Sequence, residues 1–499
     1  MRNTLVLSTV VVFASLGSQA ESFAKNWFVA KSETASDQNA GNSREPFATI
    51  AFAIAQAEPG DRVIVRPGDY RDEDTGWGPG TIPVLNSGEA GGKIQIRAAG
   101  RDQVVVRRFL LQNCQHIQLT GIQFLGTDLQ ANSRWRDMPN IVRDVPRENE
   151  IDFTAAFETR SDALAAEFAT YYSTVEELAT AGVPSSDGTM NPDIAIDLEN
   201  ASDVRILRCT MNGYWAGIQC RGADQVRIER NVISHCVNGI FSFLPKPSLS
   251  NAVIRSNTIS QCLDNGIDVR EEAIRVRIQD NTLFYNGRSH IAVQSGSSYC
   301  TLKDNFCWGG GYYSETMEFP GSSGVSINGG GDGIVVEQNM VSYQQDLTGI
   351  DGNGIILDLM QPGARPLVRS NYVYRCSGAG VNCTISPHSR ILLNIFCQNG
   401  FNATEPRRGA AIKLSRPEDI EQVIVGNYFL WNRAAGILAD NNIRDQKQVD
   451  SNFYLSWRSP MIWDGFDEVE GRYFSVRSIY RELGWERRGW GYVFGRWFW

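Results

Sequence analysis

The sequence predicts a right-handed parallel β-helix, an all-β solenoid with three short strands per coil, on three observations. First, an apolar-x-x-Asn-x-apolar unit recurs, as at Ile228–Ile233, Ile254–Ile259 and Ile278–Leu283. Its asparagines are Asn231, Asn257, Asn281, Asn305, Asn339, Asn371, Asn394, Asn427 and Asn452, spaced by 26, 24, 24, 34, 32, 23, 33 and 25 residues. A period in the twenties, with longer intervals where a loop is inserted, marks a stacked repeat. Second, three columns align on that period and every member is apolar. They start at Ile228, at Ile233 and, after a Gly-containing turn, at Ile218; the third runs through Ile240, Ile267, Ile291, Val325, Ile355, Val381, Ile412 and Ile437. Third, Asn tolerates the left-handed bend, and its amide can bond to the Asn of the next coil. One coil cannot bury its own inner face, so coils stack at about 4.8 Å around a shared aliphatic core. Leucine-rich repeats and propellers are excluded by unit spacing.

The other elements follow in chain order. Residues 1–20 carry Arg2, a short apolar run from Leu5 to Leu16 and Ser18-Gln19-Ala20, the pattern of a cleaved signal peptide. The expected location is therefore secreted or periplasmic. Residues 25–126 form the N-terminal cap and first coils, with a capping helix opened by Pro46-Phe47-Ala48-Thr49-Ile50 and stopped at Pro59-Gly60. Residues 127–190 interrupt the repeat with a helical insertion, signalled by the capping box Thr174-x-x-Glu177 and an end at Gly182. Residues 191–455 are the regular coils. Residues 456–499, with Trp457, Trp463, Trp485, Trp490, Trp497 and Trp499, form a C-terminal cap over the last open edge.

Composition narrows the partners. The 499 residues are 42% hydrophobic and 21% charged, and Lys+Arg (47) against Asp+Glu (56) leaves a formal charge of −9. That argues against a global basic field for nucleic acid or anionic lipid. No apolar run reaches the roughly 18 residues of a membrane helix. The oligomeric state is not encoded in any readable feature. The ten cysteines fall mostly at inward positions, as packed thiols. Cys236 and Cys262 stack at one offset in consecutive coils, where a disulfide is sterically allowed but not required.

The head, Phe47-Ala48-Thr49-Ile50 through Glu58-Pro59-Gly60-Asp61-Arg62-Val63-Ile64-Val65-Arg66-Pro67-Gly68-Asp69-Tyr70, continued by Asn86-Ser87-Gly88 and Ile94-Gln95-Ile96-Arg97-Ala98, resembles secreted β-helix polysaccharide lyases of the chondroitinase B and alginate lyase group. The resemblance covers roughly the first hundred mature residues. It implies an extracellular enzyme acting on a polysaccharide, with Ca²⁺ as a candidate cofactor. The chain departs from the group's pattern: no Lys-Arg catalytic motif is found, and Ser386-Pro387-His388-Ser389 echoes the Asp-Pro-His-Asp of alginate epimerases without either carboxylate. Polygalacturonase signatures are absent as well.

Alternation along the third-column strands points every second residue outward. Two adjacent long loops, 308–323 and 343–352, border that face and suggest a cleft wall. The expected catalytic residues are Asp268, Arg270, Arg288 and His290. Gln294, Asn328, Asp358, Tyr312, Tyr313, Trp308 and Arg221 are expected to bind substrate, and Glu315, Glu318 and Asp351 are candidate Ca²⁺ ligands. Lys413 faces outward several coils away, and His116 and His235 read as structural. For β-elimination from a uronic acid, Arg270 or Arg288 would neutralise the carboxylate, while His290 or a tyrosine would move the proton. The expected function is thus a polysaccharide lyase. The alternatives are a glycoside hydrolase recruiting loop carboxylates, since Asp268 and Asp358 lie three coils apart, about 14 Å at about 4.8 Å per coil, and a non-catalytic glycan-binding solenoid.

Overall fold

A computed structural model describes residues 24–455, except 74, 79, 101–102, 127–192, 312–321, 347–350, 401–408 and 440–447, together with the strands Ile462–Asp464 and Arg472–Phe474. The expected signal peptide, the expected helical insertion and most of the expected C-terminal cap fall outside the described residues.

The apolar columns become three parallel sheets wound into a right-handed β-helix. Among the described residues the first sheet contains 16 strands, the second 13 and the third 14. The third-column register is as the spacing requires: Ile218 pairs with Ile240, then Ile267, Ile291, Val325, Ile355, Val381, Ile412 and Ile437. These side chains, with the Ile228 and Ile233 columns, join one continuous buried core. Each contributes on the order of 1.5–3 kcal/mol by leaving water, which offsets the entropy of fixing so many short strands.

The asparagines form a buried ladder. Asn305 shows the unit: its Nδ2 donates to the Ile278 carbonyl (2.9 Å) and to Asn339 Oδ1 (2.9 Å), while its Oδ1 accepts from Asn281 N and Nδ2 (3.1 and 3.0 Å). The pattern runs from Asn231 to Asn452. A second ladder, Asn399 to Asn432, stacks at the next corner. All ten cysteines are buried free thiols, so Cys236 and Cys262 stack without a bond.

The N-terminal helix is Ile50–Gln56. Thr49 caps it through Oγ1 to Phe52 N (3.3 Å), and buried Glu73 accepts from Ile50 N (2.8 Å). Its Ile50 and Ile54 close the first coil. At the other end the last described strand, Arg472–Phe474, pairs antiparallel with Ile462–Asp464 and interrupts the parallel stack.

Candidate functional site

The outer face of the third sheet carries a pocket of about 230 Å³. Its walls include Asn265, Arg288, Gln294, Asn328, Asp351 and Asp358, with Ser289, Ser322, Ser323 and Ser326. Gln294 and Asn328 are register partners in adjacent coils, and Asn328 pairs in turn with Asp358. Three polar side chains therefore rise from one straight row of backbone. Asn265, Arg288 and Asp351 come from the turns that lead into the same sheet.

The carboxylates are the chemically unusual groups. Burial pushes Asp351 up to about 7; the neighbouring charges of Asp346 and Asp358 push the same way, and a bond from Asn353 opposes them. Asp351 Oδ1 accepts from Asn353 Nδ2 at 3.1 Å, and its backbone N donates to Asp346 Oδ2 at 2.6 Å. Asp358 is also raised, by burial, while its Oδ2 accepts from Asn328 Nδ2 at 3.0 Å. Arg288 brings positive charge to the wall. It lies 3.8 Å from Asp264, whose own carboxyl burial raises to about 6. The Arg288 backbone is held by buried Gln344, whose Nε2 donates to the Arg288 carbonyl (3.0 Å) and to Ser322 Oγ (3.2 Å).

The sequence-based site is regrouped by this geometry. Arg288, Gln294, Asn328, Asp358 and Asp351 meet in the pocket. Asp268 does not face solvent: it is fully buried and saturated by Arg270, by Gln294 Nε2 at 3.0 Å and by Asn265 Nδ2 at 3.0 Å. Outward orientation on a strand does not mean exposure when neighbouring coils contribute long polar side chains. Asp268 thus anchors two pocket residues without lining the pocket. Arg270 is tied to it and lies over the Phe241 ring at 4.9 Å.

His290 is a correction to the expected acid–base role. It takes the position where neighbouring coils have Gly, and its ring turns inward, completely buried. There Asn286 Nδ2 meets its Nδ1 at 3.1 Å. Burial lowers its pKa to about 3, so it stays neutral in ordinary buffers and does not touch the pocket. Gly310 makes room for it: a Cβ there would sit 2.8 Å from His290 Nε2.

Two expected binding residues also sit elsewhere. Arg221 bonds to Asp197 and Glu199, three coils before Gln294. Trp308 belongs to the second sheet, in a ring series with Tyr285 (5.0 Å) and Tyr343 (6.0 Å). Tyr312, Tyr313, Glu315 and Glu318 lie outside the described residues. Among the described residues no three His, Cys, Asp or Glu side chains gather to hold a metal. Asn265, Gln344 and the serines were not singled out by the sequence reading. Two of them carry a signal: Asn265 through the Asn-Gly-Ile triplet repeated at Asn238 and Asn353, and Ser326 through its outward place one residue after Val325.

The chain is therefore a right-handed parallel β-helix with a polar, carboxylate-bearing pocket on its third sheet. A family model described as "Right handed beta helix region" matches residues 183–307. No curated protein matches the sequence. Among solved structures, the chain is similar to the GH136 lacto-N-biosidase from Eubacterium ramulus, with 11% identity, TM-score 0.45 and coverage of 88% of this chain and 68% of that one. It is also similar to the A-module of the Azotobacter vinelandii mannuronan C-5 epimerase AlgE4 (12% identity, TM-score 0.41, 81% and 91% covered). A third is an alginate lyase from Paenibacillus sp. str. FPU-7 (11%, 0.37, 74% and 94%). At these identities the likeness is one of fold.

Proposed function

We propose that the protein is an exported polysaccharide-active enzyme that cleaves a uronic-acid-containing chain by β-elimination in the third-sheet pocket. The observation that carries this reading is the presence, in one pocket, of a guanidinium, Arg288, and a carboxyl poised near neutrality, Asp351. Arg288 would pair with the uronate carboxylate and make the C5 proton acidic. Asp351, ionised, would take that proton. The C5 electrons form the C4–C5 double bond, the C4–O bond breaks, and the departing oxygen takes up a proton from water. A base works best with a pKa near the working pH, which burial gives Asp351. Gln294 and Asn328 supply amide hydrogens for sugar hydroxyls and for the developing enolate charge. Phe243, exposed on the same sheet and stacked on buried Phe241 at 5.8 Å, offers an apolar surface for an adjoining sugar ring.

A second reading, glycoside hydrolysis, is favoured by one observation: Asp351 and Asp358 share the pocket and both are raised. Two carboxyls in different protonation states are what such hydrolysis needs. The pH profile separates the two. Asp351 as the base must be ionised, so elimination gains rate as pH rises through about 7. As the acid of a hydrolase it must hold its proton, so the rate falls over the same interval. Alginate, chondroitin and pectin, with neutral glycans as controls, are the substrates to try. Elimination gives an unsaturated product that absorbs in the ultraviolet; hydrolysis gives new reducing ends without that absorbance. Binding with neither product would leave a glycan-binding solenoid.

A further inference from the structure

The first sheet carries a local charge that the net −9 conceals. On its outer face, over four consecutive coils, one row of side chains runs Arg205, Arg227, Val253, Arg277 and the next runs Leu207, Glu229, Arg255, Gln279, while the corner beside them adds Arg208 and Arg230. The carboxylate on this stretch of the face is Glu229. It is buried between two of the arginines, accepting from Arg205 Nε at 2.7 Å and Arg255 Nε at 2.6 Å. Asp280 and Asp304, exposed at the same corner two and three coils past Arg230, and Asp203 and Asp224 on the same sheet are other anions in these and adjoining coils. Asp203 is engaged by Lys93 and His116, and Asp224 by Gln225 and Asn251.

The arrangement costs stability. Arg227 is the direct register partner of Arg205, and like charges opposite one another on neighbouring strands oppose pairing. Arg227, Arg230 and Arg277 are exposed. Arg205 and Arg255 serve the fold by satisfying buried Glu229, but the apolar inward columns give the exposed Arg227, Arg230 and Arg277 no comparable task.

We infer that this arginine-rich face is a docking surface for a linear acidic polysaccharide, separate from the pocket on the third sheet. Guanidinium groups bind carboxylate or sulfate through paired N–H donors. The coils repeat every 4.8 Å or so, and a sugar residue in an extended chain advances by a similar distance, so successive coils meet successive sugars. Among the outer-face residues of these coils, Arg205, Leu207, Arg227, Glu229, Val253, Arg255, Arg277 and Gln279, there is no aromatic ring. That argues against single-stranded nucleic acid, which such proteins hold by base stacking. The face also lacks the large apolar anchors of a membrane-surface binder.

The surface stands whether or not the pocket cleaves, and the test keeps the two apart. Full-length protein is run in native gels containing alginate, polygalacturonate, a neutral glucan or single-stranded DNA, and floated with anionic phospholipid vesicles. The double variant R227S/R230S removes two exposed side chains. It is expected to weaken retention by acidic polysaccharide about tenfold and to flatten its salt dependence, while cleavage of short oligosaccharides is unchanged. D280N, which removes a nearby negative charge at a left-handed position that Asn accepts, is expected to strengthen retention. Unchanged retention in both variants, equal retention by neutral glucan, or stronger binding of DNA or vesicles overturns the proposal. Loss of cleavage in wild-type preparations that still bind would count only against the pocket chemistry.

Discussion

Asp351 and His290 show how local burial decides chemistry for single residues. Both lose water; one ends beside other carboxylates at the pocket wall, the other inside a corner of the coil. Burial raises a carboxyl and lowers an imidazole for the same reason, since each disfavours the charged form. Asp351→Asn is expected to reduce turnover at least 100-fold while leaving substrate retention intact, because a general base contributes about 10²–10⁴-fold. Steady-state kinetics checks this. Arg288→Ala is expected to cost a similar factor, with uronate substrates more affected than any neutral one, since removing one charge-stabilising donor costs about 10²–10³. His290→Ala should lower stability by about 1–3 kcal/mol, through a cavity and unpaired amide groups. It should leave the pH–rate profile in place, which urea unfolding and kinetics together can read. A shifted profile would return His290 to the reaction.

Among the elements, the Asn ladder and the aliphatic columns are equally repetitive but fail differently. Losing a methyl from an inner column leaves a cavity. Losing one Asn strands donors and acceptors in two other coils. Asn305→Ala would leave Asn281 N without its acceptor, strip Asn281 Nδ2 of one of its two acceptors, and remove a donor from the Ile278 carbonyl and from Asn339 Oδ1. A cost of about 3 kcal/mol or more follows, because each buried unsatisfied group costs about 1–3 kcal/mol. The midpoint of chemical unfolding checks it. This repetition is why the coils are legible in the sequence: the column from Ile218 to Ile437 recurs with a period in the twenties, lengthened where a loop is inserted, and the register follows from it. The site was only partly legible. Alternation puts Gln294, Asn328 and Asp358 on the outer face, and they do line the pocket. It says nothing of what covers an outward residue, so Asp268 was misplaced. It says nothing of corners either, where His290 enters a space that Gly310 leaves open.

The whole molecule combines these effects in its response to pH. Burial raises the carboxyls of Glu73 and Asp351 to about 7 and those of Asp264 and Asp419 to about 6. A raised carboxyl binds its proton more readily folded than unfolded. Its stabilisation is complete below its ordinary value and is lost as pH rises through the folded value. His235 and His290, lowered to about 4 and about 3, act in the opposite sense. Their contribution is present above the ordinary histidine range and is lost as pH falls through the lowered values. Between about pH 5.5 and 8 the four carboxyls outweigh the two histidines, so the protein is expected to melt at a higher temperature at the acidic end. The difference should be on the order of 1–3 kcal/mol, and Asp351→Asn should reduce it. Calorimetry at the two pH values checks both. On the proposed reading function divides by sheet: the third carries the pocket, the first the arginine-rich face, and both stand on one shared core.

The most direct test follows ultraviolet absorbance and reducing ends together while purified protein acts on uronic-acid polysaccharides across pH 5 to 9. The account predicts an absorbing product whose rate of formation rises through about pH 7 and disappears in both Arg288→Ala and Asp351→Asn. Reducing ends without absorbance, a rate that falls through the same interval, or full activity in both variants would contradict it.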